Sequence, residues 1–251
     1  MTRELVPCAI DGPIARLTLN DPDRANVLSS AMMSALEQAL VKAAADEGIR
    51  VIVLGAAGRI FCAGHDLEQL RDGANGPGRE ALFAQCSALM MAIGACRAPV
   101  IARVQGAAVA AGCQLVASCD LAYASASAKF AVPGINLGLF CSTPGVAVGR
   151  SVGRKAAMEM LLTGETVDAE RAAELGLINR AVPAGDLDTV IDEIAHVIAA
   201  KPPDAIALGK TAFRRQLEAP LAEAYVIASG AMVENLGFAS AQTGIEGFLR
   251  R

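Results

Sequence analysis

Apolar and polar residues alternate from Ile14 to Leu19, between Asp11-Gly12-Pro13 and Asn20-Asp21-Pro22, and this period of two between turn signals predicts the second strand of an opening hairpin. The period then lengthens. Met32, Leu36, Leu40 and Ala44 recur every four residues, with Glu37, Lys42 and Asp46 elsewhere, which predicts an amphipathic helix from an N-cap at Ser29 or Ser30 to about residue 47. The apolar run 51–54 predicts a buried strand.

The same succession returns twice. Ile60-Phe61-Cys62 leads through a tight Ala63-Gly64 turn and a Gly/Pro-rich loop at 72–78 to a helix at 79–96, which Pro99 ends before a strand at 100–104. Small residues at 106–112 then read as a loop, followed by a short helix at 113–119 and a strand at 121–124. Strand, loop and helix thus recur about every fifty residues, as a repeated supersecondary unit would. Beyond Gly149 the pattern is helical, over 155–162, 169–176, 187–200, 206–217 and 221–236. The Pro202-Pro203 break separates an α/β core, 1–201, from a helical C-terminal region, 202–251. Oligomer contacts and packing on the chain's own core compete for that region, and oligomer contacts are the expectation.

Composition narrows the partners. Of 251 residues 53% are apolar and 19% charged, and 22 Lys and Arg against 26 Asp and Glu leave −4 with no basic block, so neither nucleic acid nor a polybasic membrane anchor is expected. The mean hydropathy of +0.41 raises the question of membrane spans. The uncharged stretch 131–149 answers it with Pro133, Pro144 and four glycines, and 104–119 is too short, so no membrane association is expected. The excess apolarity points instead to a buried oligomer interface. Glu4, Pro7 and Asp11 interrupt any apolar core of signal-peptide length, which leads to the expectation of a cytoplasmic protein. Seven cysteines (Cys8, Cys62, Cys86, Cys96, Cys113, Cys119, Cys141) form no C-x-x-C pair and read as reduced, buried thiols. With His65 and His196 the only histidines, and neither part of a ligand motif, no metal is expected.

Two small-residue segments carry the candidate chemistry. GRIFCAGHDL, 58–67, ends a strand in a turn that lets backbone N–H groups face a ligand, and VQGAAVAAGCQLVASCD, 104–120, opens a helix whose unpaired N–H groups favour negative charge. Facing one point, they would make an oxyanion hole.

Together these segments resemble the crotonase, or enoyl-CoA hydratase/isomerase, family, with support from RANVLSSAM (24–32), INLGLFCSTPG (135–145), MEMLLTGETVDAERAAELGLINRAV (158–182) and EGFLR (246–250). AAGCQLVASCD and FAVPGINLGLFCSTPGVA are particularly similar to its enoyl-CoA hydratase domain-containing subgroup. The resemblance covers nearly the whole chain and implies an α/β fold, a spiral of strand-strand-helix units with a helical C-terminal trimerisation region. It also implies a homotrimer or hexamer and an acyl-CoA thioester ligand, with coenzyme A as part of the substrate and no separate cofactor. Matched residue by residue, the oxyanion-hole N–H groups fall on His65 and Ala111, and the coenzyme A loops on Arg24-Ala25 and on Ala63, Gly64, His65, Asp66 and Leu67.

The sequence departs from the family's hydratases at their two glutamates, which match Gln114 and Gly134. Glutamine accepts no proton near pH 7, and glycine has no side chain, so hydration itself is in question. A third family acid position falls near Ser142 across a length difference. Residue chemistry offers other roles. Gln114 has backbone bonding and ligand contact equally open to it, Asp66 reads as a helix N-cap, and Ser142-Thr143-Pro144 as a cap followed by proline at N1. His65 has a backbone and a ring role open, the backbone one preferred. His196 fits a solvated face beside the stripe Leu187, Val190, Ile191, Ile194, Val197 and Ile198, Cys141 reads as a small buried hydrophobe, and Asp120 as a structural acceptor. An acyl-CoA hydratase or isomerase with altered acid/base groups leads. Decarboxylation of a malonyl-type thioester, which needs only enolate stabilisation, and a non-catalytic acyl-CoA binder or partner subunit are the alternatives.

Overall fold

The structure, a computed structural model, describes residues 3–72 and 77–250, so part of the loop expected at 72–78 lies outside the described residues. β1 (Cys8–Asp11) and β2 (Ile14–Leu19) form the expected antiparallel hairpin. Ser29 Oγ then accepts the Met32 N–H at 3.1 Å, so Ser29 is the cap of α1 (Ser30–Ala45), which buries Met32, Met33, Leu36, Leu40 and Ala43 before β3 (Val51–Ala56).

The second unit holds β4 (Ile60–Cys62), α2 (Leu67–Asp72), α3 (Pro77–Ala95) and β5 (Val100–Val104). The third holds β6 (Ala107–Val109), α4 (Ala111–Ser118), β7 (Leu121–Ser125) and β8 (Lys129–Ala131). Then follow α5 (Ser142–Ser151), α6 (Arg154–Thr163), β9 (Val167–Asp168), α7 (Ala169–Leu175), β10 (Arg180–Val182) and α8 (Leu187–Ala199). The C-terminal helices are α9 (Pro203–Leu217), α10 (Leu221–Leu236) and α11 (Ala239–Leu249), the last not anticipated from the pattern.

The strands divide into two sheets, ordered β1-β2-β3-β5-β7-β10 and β4-β6-β8-β9. Each turn of the chain lays one strand in the large sheet and the next in the small one: β3 then β4, β5 then β6, β7 then β8. A helix closes each turn, so the fold is the crotonase-type spiral of strand-strand-helix units. The large sheet is parallel beyond its hairpin, and period-two alternation splits its side chains between two cores. Ile52 and Leu54 of β3 face the main cluster with Met32, Leu36 and Phe61, while Val51 and Val53 face Leu187, Ile191 and Ala195 of α8.

Five expectations need correcting. Cys8 is exposed and Cys119 half-buried, so the cysteines are not all buried, Cys8 lying on the edge strand β1. Residues 107–109 are a strand, not loop, because two flanking strands of the small sheet satisfy a three-residue backbone whose alanines carry little pattern. α4 begins two residues early, at Ala111. Ser142 is the first residue of α5 and caps nothing: Cys141 precedes the helix, and the Ser142 hydroxyl donates to Phe140 O at 3.4 Å. Val197 is exposed while Ala195 is buried, so the α8 stripe centres on Leu187, Ile191 and Ala195, with Val190, Ile194 and Ile198 packed partly buried beside them.

Asp120 is the structural acceptor expected of it. Its carboxylate takes the Val100 N–H at 2.8 Å, Lys210 Nζ at 2.5 Å and Arg214 Nη2 at 3.3 Å, tying α9 to the ends of β5 and β7. The first helix of the C-terminal region therefore packs on the chain's own core, whereas Tyr225, Val226, Met232 and Val233 of α10 and Phe248 and Leu249 of α11 are exposed.

Candidate active site

Backbone contact between two loops builds the centre of the site. A Cβ on Gly112 would lie 2.2 Å from Cys62 O, so only glycine lets the start of α4 rest on the end of β4. Gly64 turns the chain with φ +96, and a Cβ there would lie 3.2 Å from Ala111 N. The residue before His65 is thereby set against Ala111, although 46 positions separate His65 from Ala111 (111 − 65). Leu28 pairs with His65 in a parallel bridge, its N–H donating to Gly64 O at 2.7 Å, which fixes the peptide that carries the His65 N–H. Ala110 holds φ 50 and ψ −117, a strained conformation for a residue with a Cβ. Its N–H donates to Ala131 O at 2.8 Å and its carbonyl accepts the Gln114 N–H at 3.1 Å. That bond is the first of α4, so the N–H groups of Ala111, Gly112 and Cys113 precede the helix ladder.

A polar rim leads away from this centre. Ala25 and Asn26 both take left-handed φ, 52 and 51. Buried Asn26 stabilises the turn: its Oδ1 accepts the Asp21 N–H at 2.8 Å, and its Nδ2 donates to Ala57 O and Ile60 O at 2.9 and 2.8 Å. Ala63 N–H donates to Ala25 O at 3.1 Å, which joins the Arg24-Ala25 turn to Ala63 and Gly64. Arg24 Nη2 reaches Asp66 Oδ2 at 2.7 Å, while Asp66 Oδ1 accepts the Glu68 N–H at 3.0 Å, the capping role expected of it. Burial raises the Asp66 pKa, but the Arg24 guanidinium and the backbone N–H bonds outweigh it and hold the carboxyl below its usual range. Leu67 is exposed at the rim's end. Asn26 was missed in the sequence, where only the tolerance of Asn for left-handed turns pointed to it.

The matched glutamate positions differ sharply. Gln114 is buried, and its Oε1 has no hydrogen-bond partner, which removes the reading of a side chain engaged with backbone. Gly134 has no room to spare: a Cβ would lie 2.5 Å from Leu139 O and 2.7 Å from Cys141 Sγ. Its N–H donates to Cys141 Sγ at 3.3 Å, and burial pushes the Cys141 thiol up. The His65 ring meets Phe83 edge-on at 5.3 Å, leaves Nε2 unpartnered, and has its pKa lowered by burial, so the imidazole is neutral at pH 7. Ser142 is exposed. His196 is exposed on α8, as expected, with Nδ1 2.8 Å from Asp192 O. Residues 104–119 and 131–149 contain no Asp, Glu, Lys, Arg or His, so the surroundings of Gln114 and Gly134 on their own segments are neutral. Among the described residues no group of three or more His, Cys, Asp or Glu side chains is arranged to hold a metal ion.

Known proteins share both fold and sequence. The sequence model of the enoyl-CoA hydratase/isomerase family matches residues 9–251, and the chain belongs to that family. It is 45% identical over 238 residues to the mitochondrial enoyl-CoA hydratase domain-containing protein 3 of Mus musculus, covering 95% of this chain and 79% of that protein. The human protein of the same name is 44% identical over 242 residues, 96% of this chain and 80% of its own. Among solved structures, an enoyl-CoA hydratase from Mycobacterium smegmatis superimposes with a TM-score of 0.96 at 50% identity, over 99% of this chain and 97% of that one. Human enoyl-CoA hydratase domain-containing protein 3 does so with 0.95 at 42% identity, over 98% and 97%.

These relatives correct the cytoplasmic expectation, since the mouse and human proteins are mitochondrial by name. The physical reason is that import addresses are separate from the packed domain, so a folded core and its composition carry no compartment. No helix among the described residues is long and apolar enough to cross a membrane.

Proposed function

We propose that the chain binds an acyl-CoA thioester, with coenzyme A along Arg24, Ala25, Ala63, Gly64, Asp66 and Leu67 and the thioester carbonyl between the N–H groups of His65 and Ala111. The observation that carries this reading is the abutment of Gly64 on the Ala111 amide beside the strained Ala110. A thioester enolate places negative charge on its oxygen, and donors already fixed in place stabilise that charge by about 3 to 4 kcal/mol each without reorganising. The α4 dipole adds to this in the same sense. In this reading the protein is a lyase or isomerase of its family whose oxyanion hole is retained and whose paired carboxylates are not. Gln114 moves no proton, Gly134 is enclosed, and the neutral His65 ring is, among the described residues, the imidazole beside the hole. The exposed apolar faces of α10 and α11 support a homotrimer, singly or stacked as a hexamer.

Turnover of a thioester panel by the purified protein tests the reading. Hydration of crotonyl-CoA should be at least about 10²-fold slower than in a relative with both glutamates, because each general acid or base contributes about 10² to 10⁴. Binding without any turnover across the panel would mark a non-catalytic binder, decarboxylation of malonyl-CoA alone would mark chemistry that needs no base, and rapid hydration would overturn the reading.

A further inference from the structure

The buried side-chain polar atoms without a hydrogen-bond partner include Gln114 Oε1 and His65 Nε2, both at the candidate site. Gln114 is only 4% exposed. Its backbone carbonyl is engaged, accepting the Ser118 hydroxyl at 2.8 Å, while its amide oxygen is left alone. Folded proteins seldom leave such an atom unpaired without a use for it. Gln114 stands three residues beyond Ala111 on the eight-residue helix α4, and helical side chains lean toward the N-terminus. That lean directs the side chain toward the turn whose N–H groups precede the helix ladder. The His65 imidazole, kept neutral by burial, adds a second unpaired polar atom, its Nε2.

We infer that Gln114 is a specificity-determining residue whose amide oxygen is held buried and unpaired for an uncharged hydroxyl on the acyl group, close to the thioester; the inference rests on the acyl-CoA reading above. A hydroxyl both donates and accepts, so it pairs with the amide whichever way its oxygen and nitrogen are turned. A carboxylate only accepts, and residues 104–119 and 131–149 supply no cation to offset its desolvation. A saturated chain leaves the amide as lonely as it is in the free protein.

Calorimetric binding of butyryl-CoA, 2- and 3-hydroxybutyryl-CoA and malonyl-CoA to the whole protein and to Gln114→Leu tests this. The wild type should bind one hydroxybutyryl-CoA about threefold to tenfold more tightly than butyryl-CoA, the increment of one neutral hydrogen bond, and malonyl-CoA more weakly than either. In Gln114→Leu that preference should vanish through lost hydroxybutyryl affinity, with butyryl-CoA binding retained, while the free variant melts higher because an unpaired buried oxygen is gone. If Gln114→Leu does not fold, Gln114→Met carries the same expectations. Absence of hydroxyl preference in the wild type, its persistence in the variant, or tighter malonyl-CoA binding overturns the inference and leaves the acyl-CoA reading standing. Failure of every thioester to bind overturns both.

Discussion

Gly134 is where the resemblance sets the second hydratase glutamate, and geometry closes that position as firmly as chemistry does. Leu139 O and Cys141 Sγ stand 2.5 and 2.7 Å from where a Cβ would be, so any side chain must displace the 134–141 loop. Gly134→Ala is therefore expected to lose about 1–3 kcal/mol in chemical denaturation, the cost of overpacking, and Gly134→Glu at least as much. A Gly134→Ala variant as stable as wild type would show that the loop yields freely. Restoring carboxylates is consequently a test for Gln114→Glu alone. Resemblance made the missing glutamates legible, but not this enclosure, because it arises from a carbonyl and a thiol five and seven residues further along the chain (139 − 134, 141 − 134). Likewise, the unpaired state of Gln114 depends on what fails to surround it, which spacing does not encode.

Elements with a strong period were read correctly, and those held by neighbours were not. α1, with Met32, Leu36 and Leu40 on one face, appears where the period of four puts it. β6 is three small residues whose backbone is paired on both sides by β4 and β8, so tertiary hydrogen bonding, not side-chain pattern, makes it a strand. α9 shows how the C-terminal region is anchored: Lys210 and Asp120 have side chains only 9% and 18% exposed and lie 2.5 Å apart. Arg214 also reaches Asp120, so loss of Lys210 leaves the carboxylate partly compensated. Lys210→Met should lower unfolding free energy by about 1.5–3 kcal/mol, as for a hydrogen bond to a charged group, in urea titration. An unchanged midpoint would mean that α9 docks by apolar contact alone.

For the whole molecule, the spiral explains how one site is assembled from distant sequence. Successive turns place β4 and β6 side by side in the small sheet, and the loops leaving them, at Gly64 and Ala110, meet there. The repeat was legible as a period of strand, loop and helix; the second sheet was not, since its strands are two or three residues long. The helices beyond Pro202 then expose Tyr225, Val226, Met232 and Val233 on α10 with Phe248 on α11, an apolar surface a lone chain would leave in water. Light scattering at micromolar concentration should give a mass near three or six times 25.7 kDa, and a stable monomer would overturn the proposed assembly.

The proposed oxyanion hole is tested most directly by a crystal structure of the protein with butyryl-CoA, a saturated thioester that nothing at the site consumes. The thioester oxygen is expected within about 3.2 Å of both His65 N and Ala111 N. A carbonyl directed elsewhere, with those two N–H groups facing water or protein, would contradict it.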